Sequence, residues 1–290
     1  MKRLHMALLG GVIQGLLVFS AARAQDDSAA TTSGASEKPL WEAGLGIGAL
    51  RFPDYRGSDE SQVYPVPVPY FVYRGDFFKA DKDGVRGQIF NERYAELNFS
   101  VGATIPVRSE NNDARSGMPD LEPTIELGPS LDLHLWRSSD ERFKFDLVMP
   151  FRVPVTLETS PQITGWMFAP RLNLDIDDIR HTGWNFGFGV GPVYADDKFH
   201  QYFYSVDERY ATPDRPAYEA RGGYSGTHIL TSVSKRYPTY WVGAYLRYDS
   251  LSNAAFADSP LVRSNRYLAG GIGIAWMIGK SKRMVTTDDE

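Results

Sequence analysis

Few residues in this chain lie at a spacing that could do chemistry. The most suggestive set sits near the middle, where Glu126, Ser130, Asp132 and His134 fall on one side of a single segment. A serine, a histidine and a carboxylate are the parts of a hydrolytic triad. At ~3.3 Å rise per residue, however, Ser130 and His134 on one strand are ~13 Å apart, beyond hydrogen-bond reach. A lipid-modifying enzyme would need partners from neighbouring strands gathered around His134 or His228. The usual meaning of such residues is a solvated face. Two acidic groups, Asp175-Asp177-Asp178 and Asp196-Asp197-His200, have the donor types of a divalent-cation site but no specific metal spacing. Asp81-Lys82-Asp83-Gly84 resembles the start of a calcium loop, yet the later ligands and the closing glutamate do not follow; Asp83-Gly84 reads as a hairpin turn. No residue is assigned as catalytic, cofactor-binding or metal-ligating, and no cofactor is expected.

The elements that carry these residues have a period of two. From Pro123 to Tyr194, four successive segments set an apolar face against a polar or small one. Leu127, Leu131, Leu133 and Leu135 alternate with Glu126, Ser130, Asp132 and His134. Phe145, Leu147, Met149, Phe151 and Val153 alternate with Lys144, Asp146, Pro150 and Arg152. Then come Leu172, Leu174 and Ile176 against Arg171, Asn173 and Asp175, and Trp184, Phe186, Phe188 and Val190 against Asn185, Gly187, Gly189 and Gly191. Successive strand residues point to opposite faces, so each segment reads as a strand with one greasy side.

The pattern extends outward. Trp41, Ala43, Leu45, Ile47 and Ala49 alternate with Glu42 and three glycines, and Leu97, Phe99, Val101, Ala103 and Ile105 alternate with Glu96, Asn98, Ser100 and Thr104. Regularity weakens over Ala195 to Pro216, which reads as a long loop with one short strand at Tyr202 to Val206. It returns at Tyr218 to Lys235, Tyr240 to Tyr248 and Leu268 to Ile278. In Val63 to Tyr73 three prolines, Pro65, Pro67 and Pro69, fall on alternate positions. Their missing donors belong to one side of the strand, which makes it an edge or a weak seam.

The N-terminus is a separate object. Lys2 and Arg3 precede an apolar run that closes on Ala22-Arg23-Ala24, the pattern of a Sec signal peptide cut after Ala24. Cleavage removes Lys2, Arg3 and Arg23 but no acid, leaving 28 basic and 36 acidic residues, net −8. A nucleic-acid partner is disfavoured, because binding phosphates needs a basic footprint. Residues 25–40 read as a disordered lead-in, 41–279 as one domain and 280–290 as a polar tail. Cysteine is absent, which a sheet closed by hydrogen bonds tolerates.

About 10–12 strands, with 12 preferred, point to an all-β antiparallel transmembrane barrel rather than a secreted sandwich. Strands of ~10–15 residues can cross a bilayer tilted. Short connections such as Arg137 to Asp140 alternate with long ones at 108–121 and 195–216. Trp136, Trp166, Trp184, Trp241 and Trp276 stand near strand ends, as an interfacial girdle requires. The polar faces then line a lumen of modest width rather than an apolar cavity.

Pro53-Asp54-Tyr55-Arg56-Gly57-Ser58-Asp59 after a glycine-rich first strand, and Ala257-Asp258-Ser259-Pro260-Leu261-Val262 before the last, resemble the signature segments of the MipA/OmpV family. The resemblance runs over nearly the whole mature chain. It implies a barrel in the Gram-negative outer membrane, in contact with its lipid. For the MipA branch it further implies a non-enzymatic scaffold bridging a lytic transglycosylase and a penicillin-binding protein in peptidoglycan (murein) synthesis. A channel for small solutes or drugs is the alternative, and a lipid-modifying barrel the third. One departure stands out: such barrels commonly end on an aromatic residue, whereas here Gly279 is followed by a polar tail.

Overall fold

The computed structural model describes residues 35–74, 78–81, 84–87, 90–92 and 94–288. The expected signal peptide and the turn residues Lys82 and Asp83 lie outside them. The strands are β1 (Ala35–Pro39), β2 (Trp41–Pro53), β3 (Ser61–Arg74), β4 (Phe78–Asp81), β5 (Gly84–Gly87), β6 (Phe90–Glu92), β7 (Ala95–Ala103) and β8 (Thr124–Arg137). They continue as β9 (Phe143–Thr156), β10 (Met167–Phe168), β11 (Arg171–Ile176), β12 (Trp184–Ala195), β13 (Gly223–Arg236), β14 (Tyr240–Ser250), β15 (Arg266–Lys280) and β16 (Met284–Asp288).

One sheet follows the chain as an antiparallel meander from β5 back to β2, across to β15, and down to β6. The β2–β15 ladder, with Ile47 opposite Ile274, joins the first long strand to the last. The path's two ends, β5 and β6, run in the same direction because an even number of antiparallel steps separates them. They are also consecutive in sequence, and β5 lies against β7, the strand that β6 pairs with, so the sheet closes on itself there and the two are counted together. Counting β5 with β6, and the collinear β10 with β11, gives a barrel of twelve strands among the described residues. An even strand number is what an antiparallel barrel needs to close.

The faces follow the sequence alternation. Leu45, Ile47, Phe99, Leu127, Leu131, Phe151, Leu172, Val233, Leu246, Leu268 and Ile272 project outward and are exposed. Glu42, Glu96, Asn98, Glu126, Ser130 and Asp249 point inward and are buried. No helix among the described residues is long and apolar enough to cross a membrane; crossing falls to the strands. Trp136, Trp166, Trp184 and Trp276 are exposed on the outside, as a girdle demands. Trp241 is not: it points inward and is 1% exposed.

That tryptophan belongs to the main departure from the expected lumen. Leu50, Val66, Val68, Tyr70, Val72, Trp241, Tyr245 and Ala275 form a buried apolar cluster inside the arc of β2, β3, β14 and β15. The glycines opposite make room for it: a Cβ on Gly271 would meet Leu50 and Tyr245, and one on Gly48 would meet Val68. One arc of the interior is thus packed like a core; the arc from β7 to β13 keeps a polar face, and Glu42 of β2 and Asp249 of β14 add inward charges at the two ends of the core.

Regular structure also occurs outside the expected strands. β1, from the predicted lead-in, pairs in register with β16, from the predicted tail. Neither has apolar periodicity, and the ribbon is held in register by antiparallel backbone pairing. Residues Asp197–Tyr204, expected as loop and short strand, form helix α1. Asp196 caps it by accepting a hydrogen bond from the Phe199 N–H, which outweighs the β propensity of its tyrosines and phenylalanines.

Candidate functional site

At one end of the barrel the connections are short: 138–142, 177–183 and 237–239. At the other end they are longer, and five of them meet. Helix α1 lies in the β12–β13 loop. Its buried Tyr204 stacks on Phe256 of the β14–β15 loop, ring centroids 3.6 Å apart, and His200 packs edge-on to Phe256 at 4.6 Å. Around them Tyr55, Val107, Ala114, Leu121, Val206, Ala220, Leu251, Ala254 and Leu261 complete a buried cluster drawn from loops all round the ring. The β9–β10 loop joins through Trp166, whose N–H donates to Asp196 at 3.0 Å.

Hydrogen bonds tie these loops together in the way their sequences dictate. The Tyr55 hydroxyl donates to the Leu261 carbonyl at 2.8 Å, and Ser259 donates to the Tyr204 carbonyl at 2.7 Å. Arg263 and Ser264 N–H groups both donate to the Gly57 carbonyl. Gly57 has φ +100°, a region that favours glycine. Arg215 donates to the Ala114 and Ser116 carbonyls at 3.1 and 2.9 Å, crossing from the β12–β13 loop to the β7–β8 loop. Those two loops are four strands apart in the ring, on either side of the β9–β10 loop, so the assembly is a cap across the mouth. The two signature segments read from the sequence are its structural keys.

Burial sets the charge states in the cap. The Tyr55 and Tyr204 hydroxyls are pushed well above their usual range by desolvation, which keeps them neutral donors. The Arg115 guanidinium is lowered by the same cause. His200 is lowered below 6.5 by burial, with the Arg56 charge adding to it, against a raising contact from the Arg221 carbonyl. Since a carbonyl only accepts, His200 Nδ1 must be the donor at 2.6 Å. Nε2 then accepts from Ser225 Oγ at 2.5 Å, a neutral imidazole with both nitrogens used. In the short turn at the other end, Asp140 is lowered to about 2, chiefly by the Ser138 hydroxyl and then by Arg142.

Beneath the cap, inward charges stand in pairs. Arg56 reaches down from the first signature loop to Asp249 at 3.3 Å, while Arg247 meets the same carboxylate at 2.6 Å. Arg152 lies 3.4 Å from Glu126 and donates to Ser100 at 2.9 Å. Toward the short-turn end, Arg236 pairs with Glu42 at 2.6 Å and Lys144 with Asp177 at 3.7 Å.

The residues singled out for chemistry do not converge. Ser130 donates to Asp132 at 2.7 Å, not to a histidine. His134 Nδ1 faces Asp146 Oδ1 at 3.0 Å and Arg137 at 2.8 Å. His228 sits far round the barrel on β13, opposite Asp249. Asp196 is a helix cap, Asp197 accepts from the Gly222 N–H at 2.6 Å, and Asp178 accepts from the Gly183 N–H at 2.7 Å. No cluster of potential metal ligands is present among the described residues. The bonding roles of Arg56, known from the sequence only as part of a signature segment, and of Arg115 and Arg215 are not legible there, because each reaches a carbonyl on a remote loop, of Ser225, Phe203 and Ala114 in turn.

Residues 45–278 match the family described as MltA-interacting protein MipA. Outer membrane protein OmpV of Vibrio cholerae is 24% identical over 207 residues, covering 69% of this chain and 74% of that protein. Omp26La, an outer membrane protein of Vibrio anguillarum, is 23% identical with the same coverage. Among solved structures, an outer membrane channel from Pseudomonas putida F1 aligns with 89% of this chain and all of its own, at 11% identity and a TM-score of 0.43.

Proposed function

The chain belongs to the MipA family of outer-membrane barrels, and from that premise we propose that it is a capped, non-enzymatic scaffold for peptidoglycan-remodelling enzymes. Short turns in such barrels face the periplasm and long loops face outward. The cap then closes the external mouth, and the turns together with the β1–β16 ribbon are the parts that periplasmic proteins meet. The observation carrying the reading is the cap: loops four strands apart are bonded across the mouth by Arg215 and its carbonyl partners. A barrel closed in that way suits anchoring better than free passage. The partner classes are a lytic transglycosylase and a penicillin-binding protein, and export proceeds by the Sec route with cleavage after Ala24.

The test is in situ cross-linking through turn residues such as Ser139 and Pro238, followed by identification of the captured proteins. A murein hydrolase or synthase is expected, and capture of neither would refute the scaffold. A small-solute channel is the second reading, favoured by inward arginines that solvent reaches, Arg247 among them. Steady conductance of the purified barrel in planar bilayers would favour it over the scaffold.

A further inference from the structure

We propose that the outer half of the lumen, beneath the cap, is a binding chamber for a small anion: a phosphate or carboxylate group carried by a soluble solute. The observation behind this is a consistent asymmetry of burial within the ion pairs. In the Arg247–Asp249 pair the arginine side chain is 29% exposed and the carboxylate 0%. In Arg56–Asp249 the values are 20% and 0%, and in Arg152–Glu126 they are 18% and 2%. Each acid is sunk in the wall and each guanidinium faces space. These residues point into the barrel, so the space that reaches them is lumenal. By contrast, Leu50 of β2, Val68 of β3 and Trp241, nearer the short-turn end of β14 itself, are each 1% exposed, so the packed core leaves no such space.

The charge does not balance on this side. Arg56 and Arg247 share one carboxylate, and the other groups acting most strongly on them are the phenols of Tyr204, Tyr245 and Tyr267. Asp249 is already gripped by Arg247 through two nitrogens, at 2.6 and 2.8 Å. His228, opposite Asp249 in the β13–β14 ladder, has a buried Nδ1 with no hydrogen-bond partner. One guanidinium charge is therefore left over in a confined site, where an uncompensated charge is costly and a bound anion offsets it. Arg152 adds a third cation four strands round the ring. Guanidinium groups match phosphate and carboxylate oxygens in pairs, which sets the ligand class. The chain as a whole carries net charge −5, so its overall charge would not have suggested an anion site.

The full-length protein in lipid-free zwitterionic detergent is titrated with inorganic phosphate, with acetate and with calcium, followed by calorimetry. Saturable phosphate or acetate binding is expected, weakened about tenfold by Arg247→Gln and by Arg152→Gln and weakened less by Arg247→Lys, which keeps the charge but loses the paired donors. The double variant Glu126→Gln/Arg152→Gln removes a whole pair, leaving no buried acid unpaired, and serves if a single variant fails to fold. Weakened binding in that double variant supports the chamber. Absence of saturable binding by either anion up to about 50 mM, binding unchanged in the glutamine variants, or preferential binding of calcium would each overturn it.

Discussion

Truncating Phe256 to alanine is expected to loosen the cap while leaving the barrel closed. The ring is fully buried, stacked on Tyr204 and edge-on to His200, and none of its neighbours in that cluster belongs to a barrel strand. Removing a buried aromatic of this kind costs about 3–5 kcal/mol. At about 1.4 kcal/mol per tenfold, local opening of the cap rises between about a hundredfold and a few thousandfold. Amide exchange read by mass spectrometry on segments 197–204 and 240–250 separates the two regions. Exchange in α1 should accelerate by up to that factor while β14 stays protected, because the ladders to β13 and β15 are untouched. Acceleration of α1 by less than about fivefold would refute the claim that this ring holds the cap. Equal acceleration in β14 would show that cap and barrel open as one unit.

His200 makes the cap sensitive to acid. Its folded value is held below 6.5, so between the two values the unfolded loop binds more protons than the folded one. The contribution is fully present above 6.5 and is lost as pH falls toward the folded value; α1 should lose protection on acidification, after correction for intrinsic exchange. That dependence should vanish in His200→Gln, and its persistence would point to another group. Trp241 should differ from its fellows in the membrane: brominated lipid chains should quench Trp136, Trp166, Trp184 and Trp276 but not a variant retaining Trp241 alone. Gly46→Ala should prevent closure, since its Cβ would meet the Ile274 backbone carbonyl at 1.8 Å. The expected cost is at least about 3 kcal/mol, read as loss of the folded, heat-modifiable band on gels, and a normal band would refute it.

Most of the barrel wall is legible in the sequence because its signal is local. Leu127 to Leu135 and Phe145 to Val153 state their two faces outright, and turn residues mark the ends. The apolar arc is not legible in the same way. In β3 the inward Val66, Val68 and Tyr70 alternate with prolines, so neither face looks polar and the alternation cannot say which is inside. Trp241 has the same ambiguity, being close to a strand end yet on the inward parity. The cap is harder still. Its residues are defined by partners far away in the chain, 206 positions apart for Tyr55 and Leu261. Only Asp196, three residues before Phe199, left a local trace as a helix cap, and the surrounding tyrosines masked it.

The three prolines of β3 make sense once the neighbouring hairpin is measured against them. Pro65, Pro67 and Pro69 stand opposite Ala49, Ile47 and Leu45 of β2. Opposed residues in an antiparallel pair exchange both hydrogen bonds or neither, and proline cannot donate, so these are the pairs that exchange none. Their peptide groups face away from β2. On that side β4 pairs only with Tyr73 and Arg74 before Asp81 and Gly84 turn it back. Among the described residues no strand pairs with Pro65, Pro67 or Pro69 on that side. Across the gap, β7 pairs with β6 only as far as Leu97 among the described residues. Above the gap the cap bridges it: Asn112 of the β7–β8 loop donates to Asp54 and Ser58 of the β2–β3 loop, and the Asp113 N–H donates to Glu60. An unpaired N–H in a membrane-embedded edge costs several kcal/mol. Proline removes the donor and leaves only carbonyls, which also deprives a stray strand of the partner groups it would need. The edge, unpaired among the described residues, is therefore tolerated, and the cap, by tying the strands together above it, helps to hold the barrel shut there.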